Sequence, residues 1–120
     1  MTVIPRPEFD FVDLPGRRAA DPLKDVPSAS SLRIVQMART DGRRAHVHPH
    51  SEEVVVVAAG HGRAWIDGEW FPVVTGDVVR IAAGVPHATV PDEHSQMELV
   101  CFFPHPNLSK NIEDTDIEVS

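Results

Sequence analysis

The regular spacing of short segments rich in strand-forming residues, from Ser31 onward, constrains the fold of this chain most strongly. Runs rich in Val, Ile, Ala and aromatic residues are separated by Gly, Pro or Asp at intervals of about ten residues, which is typical of an all-β sandwich or barrel. No stretch shows the apolar periodicity of a helix. We therefore predict strands near residues 31–39, 44–48, 53–59, 62–67, 69–74, 78–81, 87–90 and 97–103.

The segments that flank these runs have a different composition. Residues 1–30 contain five of the eleven prolines and show little periodicity, which predicts an extended N-terminal arm. Residues 105–120 are polar and acidic, and Pro104 and Pro106 end the last strand because proline cannot donate to a β-ladder. The sequence thus predicts an arm (1–30), a barrel (31–104) and a polar tail (105–120).

Alternation along the strands predicts which side chains face the interior, because successive residues of a strand point to opposite sides. If the charged Arg33 faces water, then Leu32, Ile34, Gln36 and Ala38 point inward, while Val35 and Met37 lie outside. In the last strand, Leu99, Cys101 and Phe103 are expected inside. Asp67-Gly68 readily adopts the positive φ angles of a two-residue turn, so residues 62–74 should form a hairpin.

Composition limits the classes of partner. Eleven basic and eighteen acidic residues give a net charge of −7, with no basic patch for nucleic acid or an anionic membrane. The longest strongly apolar run, 54–59, is far shorter than the roughly 18 residues of a membrane-spanning helix. The single cysteine, Cys101, cannot form an internal disulfide, and we find no secretory signal, so we expect a cytoplasmic protein.

Histidine and glutamate residues are grouped with metal-ligand spacing. His46 and His48 share one face of a strand with Cα atoms about 6.6 Å apart, which allows two imidazoles to converge on one ion. After Pro49 the chain turns, and Glu53 can bring a carboxylate from the neighbouring strand. Further along, His87 begins a short strand after a Gly-rich turn and offers a fourth ligand.

These segments resemble the two motifs of the cupin family. The first motif, Gly, five residues, His-x-His, three or four residues, Glu, six residues, Gly, matches His46, His48, Glu53 and Gly60. In the second motif, Gly76, Gly84 and His87 fall at the expected intervals. The chain departs from the pattern at three positions, where Thr40, Ala82 and Pro91 replace Gly, Pro and Asn. Because the motif allows three or four residues between the second histidine and the glutamate, Glu52 is an alternative to Glu53 as the carboxylate ligand.

The resemblance implies a double-stranded β-helix, or jelly-roll barrel, which holds one divalent metal ion (Fe, Mn, Ni or Zn) through His46, His48, Glu53 and His87. It also implies a small-molecule ligand, and cupins include dioxygenases, isomerases, decarboxylases, lyases and members that only bind ligands. An oxidoreductase of the dioxygenase type is favoured slightly over an isomerase or lyase, and a metabolite-binding protein remains open.

Residues around the metal ligands suggest where a substrate would bind. Gln36, Thr89 and Cys101 are the polar candidates for contact with substrate, although pairing of Gln36 with a backbone group and simple burial of Cys101 are equally ordinary uses. Arg43 and Arg44 either attract an anionic substrate to the rim or form a solvated turn. The proline-rich arm and the outward Val35 and Met37 favour a homodimer. The remaining histidines, His50, His61, His94 and His105, are expected to face solvent.

Overall fold

The computed structural model describes all 120 residues, and nearly every regular element in it is a β-strand. The strands are β1 (Val12–Leu14), β2 (Arg17–Ala20), β3 (Ser31–Ala38), β4 (Arg44–Val47), β5 (Glu53–Ala59), β6 (His61–Ile66), β7 (Glu69–Val74), β8 (Val78–Ile81), β9 (His87–Pro91), β10 (Gln96–Phe103) and β11 (Glu113–Glu118). The helical parts are two single 3₁₀ turns, Arg6–Glu8 and Leu108–Lys110. None of its helices has the length and apolarity needed to cross a bilayer.

The strands form two antiparallel sheets whose apolar faces meet in one core. The first sheet has the order β1-β2-β3-β10-β5-β8 and the second has the order β11-β4-β9-β6-β7. Neighbours in each sheet are mostly distant in sequence, as in a double-stranded β-helix. The predicted all-β jelly-roll fold is therefore confirmed.

The hairpin predicted at residues 62–74 is present. β6 and β7 pair in register from His61 opposite Val74 to Ile66 opposite Glu69. Between them, Asp67 and Gly68 have φ angles of 48° and 93°, as a two-residue turn of this type requires.

The predicted faces of β3 are wrong. Val35 and Met37 are buried in the core between the sheets, together with Leu99, Cys101 and Phe103 of β10, for which the predicted direction is right. Gln36 instead points outward and donates a hydrogen bond to Glu98 at 3.1 Å. The period of two is correct, but the phase is reversed, so Val35 and Met37 no longer argue for a covering subunit.

Both terminal segments contribute strands to the sheets. In the expected arm, β2 pairs with β3 and places the β1–β2 hairpin at the edge of the first sheet. In the expected tail, to which the sequence analysis assigned no strand, β11 pairs with β4. Sheet pairing thus crosses both limits of the predicted barrel, 31–104, and β11 supports the strand that carries His46.

Candidate metal centre

The candidate centre combines residues from both sheets. His46 lies on β4, and its Cα partner across the ladder is His87 of β9, so these two side chains emerge from directly opposed positions. His48 follows β4 immediately, and Glu53 is the first residue of β5 in the other sheet. One ligand atom from each of His46, His48, Glu53 and His87 lies within 4.8 Å of every other.

The two candidate carboxylates occupy different environments. Glu53 is buried, with its Oε1 atom 2.9 Å from Nε2 of His87 and 3.7 Å from Nε2 of His48. Glu52 points the other way and forms an ion pair with Arg80 at 2.8 Å. The structure therefore places Glu53, and not Glu52, among the three imidazoles.

Hydrogen bonds fix which nitrogen of each buried imidazole faces the centre. Nδ1 of His48 donates to the carbonyl of Asn111 at 2.7 Å, and Nδ1 of His87 donates to the carbonyl of Val85 at 2.9 Å. In a neutral ring the opposite nitrogen then carries a lone pair. With both ring protons on Nδ1, the buried Nε2 atoms of His48 and His87 have no proton to donate to the Glu53 oxygen that they face, and they have no other hydrogen-bond partner.

The protonation states suit a cation. Burial is the main cause that lowers the pKa of His46 far below its ordinary value, and it also lowers the pKa of His48. Burial by itself would raise the pKa of Glu53, but the neighbouring His87, His48 and Cys101 outweigh it and hold this pKa below its ordinary value. Neutral imidazoles and an ionised carboxylate are the forms that bind metals. Two unpartnered lone pairs beside a carboxylate fit a divalent ion of the N- and O-binding type.

Asn111 is a supporting residue that the sequence analysis missed. It is fully buried, its carbonyl accepts from His48, its Nδ2 donates to Ser51 at 2.8 Å, and its Oδ1 accepts from the backbone N–H of His50 at 2.8 Å. These three bonds hold the loop between β4 and β5, and with it the orientation of His48. A single asparagine in a polar segment carries no sequence signal for this role.

Replacing Asn111 with alanine should destabilise the metal-free protein by about 1–3 kcal/mol, because the part-buried backbone N–H of His50 loses its acceptor and the buried Ser51 loses one of its two bonds. Urea unfolding followed by circular dichroism measures this change. Asn107→Ala is the control, since the side chain of Asn107 bonds only to the exposed Ser109. Equal stability of the Asn111→Ala variant and the parent would contradict the bracing role.

The cavity next to the centre has two compartments. An inner chamber of about 50 Å³ lies in the core, and most of the residues that line it are apolar. An outer cleft of about 650 Å³ has a mainly polar lining. The two compartments share five lining residues, and the boundary that these form is here called the passage: Arg17, Arg33, Arg43, His46 and Ile112.

The structure separates the three predicted substrate contacts. Thr89 and Cys101 line the inner chamber, whereas Gln36 lies on the outer face of β3 and does not reach it. Burial, followed by the charge of Glu53, raises the pKa of the Cys101 thiol well above its ordinary value. This thiol therefore stays protonated.

The other histidines stay outside this cluster. His50, His61 and His94 are exposed, and His105 is half-buried and stacks on His50 with ring centroids 5.8 Å apart. His61 pairs with Asp92 at 2.6 Å on the surface. The expectation that these side chains face solvent agrees with the structure for the first three.

Solved structures with the same fold include enzymes of different kinds. Pac13, a nucleoside dehydratase from Streptomyces, has a TM-score of 0.80 and 16% identity, over 100% of this chain and 94% of that one. Ectoine synthase from P. lautus has a TM-score of 0.76 and 18% identity, over 100% and 94% of the two chains. At these identities the likeness shows the fold alone.

A third similar structure is a larger protein. The oxalate decarboxylase of Lactobacillus farciminis has a TM-score of 0.77 and 18% identity, over 90% of this chain but only 34% of that one. The chain therefore spans about a third of that enzyme's length. A search of curated protein sequences found no match.

A family comparison covers most of the barrel. The family model described as "Cupin domain" matches residues 33–103, which include all four clustered side chains, most of β3 and all of β4 to β10. The match covers more than half of the chain and agrees with the two-sheet architecture. The chain belongs to the cupin family.

Proposed function

We propose that this cupin binds one divalent metal ion through His46, His48, Glu53 and His87 and uses it to act on a small oxygen-rich or anionic molecule. The observation that carries the proposal is the pair of buried, unpartnered Nε2 atoms that face the Glu53 carboxylate. Without a cation, three acceptors converge at short distance, which is unfavourable. A bound ion provides each of them with a partner.

Three neutral imidazoles and one carboxylate would leave a divalent ion with a net charge of about +1 and, in six-fold coordination, two positions for substrate. Iron in such a site supports oxygenase chemistry, whereas manganese, nickel or zinc acts as a Lewis acid. The donor set suits all four metals, so affinity alone would not identify the physiological one.

Dioxygenase-type chemistry is the reaction class we favour. The inner chamber is small and mainly apolar, which suits a small uncharged molecule such as dioxygen. Apart from the four proposed ligands, its lining contains no carboxylate and no imidazole, and the Cys101 thiol is held protonated. Isomerisation and elimination generally need a protein group that accepts a proton, and none is available there.

Two other functions rest on specific observations. The similar structures include a decarboxylase and a dehydratase, so a metal-dependent lyase or isomerase is the second candidate. The scarcity of acid–base groups in the lining equally favours a protein that binds a metabolite without transforming it. In each case Thr89 is the proposed neutral contact to the ligand inside the chamber.

Oxygen consumption by metal-loaded protein tests the preferred function. We expect iron(II)-loaded protein, mixed with a panel of 2-oxo acids, 2-hydroxy acids and catechol, to consume dioxygen at an electrode, while zinc-loaded protein does not. The iron(II)-loaded His46→Ala variant is the control for free iron. Conversion of a panel member without oxygen uptake would favour the lyase or isomerase, and binding without conversion would favour the metabolite-binding protein.

Two wider proposals accompany this function. We propose a homodimer. Because Val35 and Met37 are buried in the core, the proline-rich N-terminal segment, 1–30, is the argument for it. Sedimentation that shows only monomer at micromolar concentration would contradict it. A cytoplasmic location is proposed from the single cysteine, which cannot form an internal disulfide.

A further inference from the structure

The passage between the inner chamber and the outer cleft is lined by three arginines with different partners. Arg33 donates through Nε and Nη2 to both carboxylate oxygens of Asp21, at 2.8 and 2.9 Å, so its charge is compensated. Arg17 donates one bond, to the carbonyl of Pro15, and Arg43 donates none from its guanidinium. Neither Arg17 nor Arg43 forms an ion pair with a carboxylate.

The Arg43 guanidinium is the least satisfied of the three. Its Nε atom is buried and has no hydrogen-bond partner. Burial, and then the nearby charge of Arg17, lowers the pKa of Arg43 to about 10, while Asp114 and Glu53 oppose this shift only from a distance. The group remains charged at neutral pH. Arg43 as a whole is half-buried, and a partly desolvated cation without a partner is costly, so its position indicates a ligand and not a role in stability.

The local charge contrasts with that of the whole chain. The protein carries a net charge of −7, yet two arginines that form no ion pair face the passage next to the proposed metal centre, whose own net charge would be about +1. Asp41 and Asp114 also line the outer cleft, but neither pairs with Arg17 or Arg43. Low-dielectric walls concentrate such a potential in the cleft and attract anions. Guanidinium groups bind carboxylates and phosphates through paired N–H donors, and apart from the one bond of Arg17 to Pro15 these donors are unused on Arg17 and Arg43.

We propose that Arg17 and Arg43 form an oxyanion subsite, so that the substrate is a small carboxylate or phosphate ester held at the passage while its other oxygens reach the metal. The anion lies in the passage and the outer cleft, because the inner chamber, at about 50 Å³, is too small to hold it together with a substrate skeleton. The place of this subsite beside a metal rests on the proposed function. Its affinity for an oxyanion does not.

Calorimetric titration of metal-free protein tests the subsite without any enzyme assay. The probes are inorganic phosphate, lactate and lactamide, the last being a neutral analogue of lactate. We expect phosphate or lactate to bind and lactamide not to bind. The Arg17→Met and Arg43→Met variants should each weaken binding about ten- to a hundredfold, as loss of charge-assisted hydrogen bonds does.

The matched control is Arg63→Met, which removes the same charge from β6, where Arg63 lies over the ring of Trp70 at 4.3 Å. This variant should bind the anions as the parent does. Because the half-buried Arg43 has no ion-pair or hydrogen-bond partner, its replacement should not unfold the chain, and a urea titration of each variant verifies this. Anion affinity that is unchanged in both Arg17→Met and Arg43→Met, or equal affinity for lactate and lactamide, would overturn the proposal.

The same titration on zinc-loaded protein separates this proposal from the proposed function. Tighter binding of lactate than of phosphate assigns the subsite to a carboxylate, and the reverse order assigns it to a phosphate ester. If the parent binds zinc but binds neither phosphate nor lactate, whether metal-free or zinc-loaded, the subsite proposal is wrong and the metal proposal stands. If the parent binds no metal but binds anions through Arg17 and Arg43, the metal proposal fails and the subsite survives.

Discussion

Replacing His46 or His87 with alanine is expected to abolish stoichiometric metal binding. The parent protein, purified without chelator or added metal, should contain about one divalent ion per chain. Each replacement removes one of four donors, and the loss of affinity should exceed the roughly 10–100-fold cost of losing a group that only supports a ligand. Elemental analysis of the purified variants measures the metal content directly.

Two controls keep this result interpretable. His61→Ala removes an exposed imidazole that pairs with Asp92 and should leave the metal content unchanged. Circular dichroism should show that the His46→Ala and His87→Ala variants stay folded, since in the metal-free protein each replacement relieves crowding among acceptors. Substoichiometric metal in the parent, or unchanged metal in both variants, would count against the proposed centre.

The Gly60→Ala variant should lose about 3–5 kcal/mol of stability, from backbone strain together with steric overlap. Gly60 has a φ of +79°, and a Cβ atom built there would collide with the backbone of Gln96, lying 2.9 Å from its carbonyl carbon. The neighbouring strand cannot yield easily, because β10 is paired on both sides, with β3 and β5. Urea unfolding of the metal-free protein measures the loss, which is a large part of the stability of a typical domain.

Gly84→Ala is the matched control for this substitution. Gly84 has a similar φ of +77°, but nothing lies within 4 Å of a Cβ atom built there. Its replacement should cost only the strain of the left-handed conformation, about 1–2 kcal/mol. Equal losses in the two variants would show that conformation alone, and not close packing against β10, requires glycine at position 60.

The sequence could predict the ligand cluster because its geometry is mostly local. A strand period of two puts the histidines of His46-Val47-His48 on one side, and a tight turn returns the chain at Glu53. The Asp67-Gly68 hairpin is local in the same way. The pairing of His46 with His87 is not local. The spacing of the second cupin motif is what predicts that His87 joins the cluster.

The reversed faces of β3 have a physical cause. From the sequence, the charge of Arg33 predicts that its side of the strand meets water. In the structure Arg33 points toward the cavity passage, where Asp21 compensates its charge. Alternation gives the period of a strand, but only the tertiary environment decides whether a charged side chain marks the outside.

Strand β11 shows a second limit of prediction from sequence, because here a strand forms where the sequence has no strand pattern. Its residues, Glu113–Glu118, are mostly exposed, so no apolar face produces an alternating pattern. The strand exists because β4 has a free edge that can accept hydrogen bonds, which is a property of the partner strand. Asn111 precedes it, and its bracing of His48 depends on this same tertiary contact.

The division of the four proposed ligands between the sheets has a consequence for how the barrel opens. Three imidazoles project from the β4 and β9 side, and the carboxylate projects from β5 in the opposite layer. An ion held by all four would be a cross-link between the layers, much as a disulfide joins two segments. Unfolding of either layer would then require release of the ion, so metal loading should slow amide hydrogen exchange throughout both sheets together.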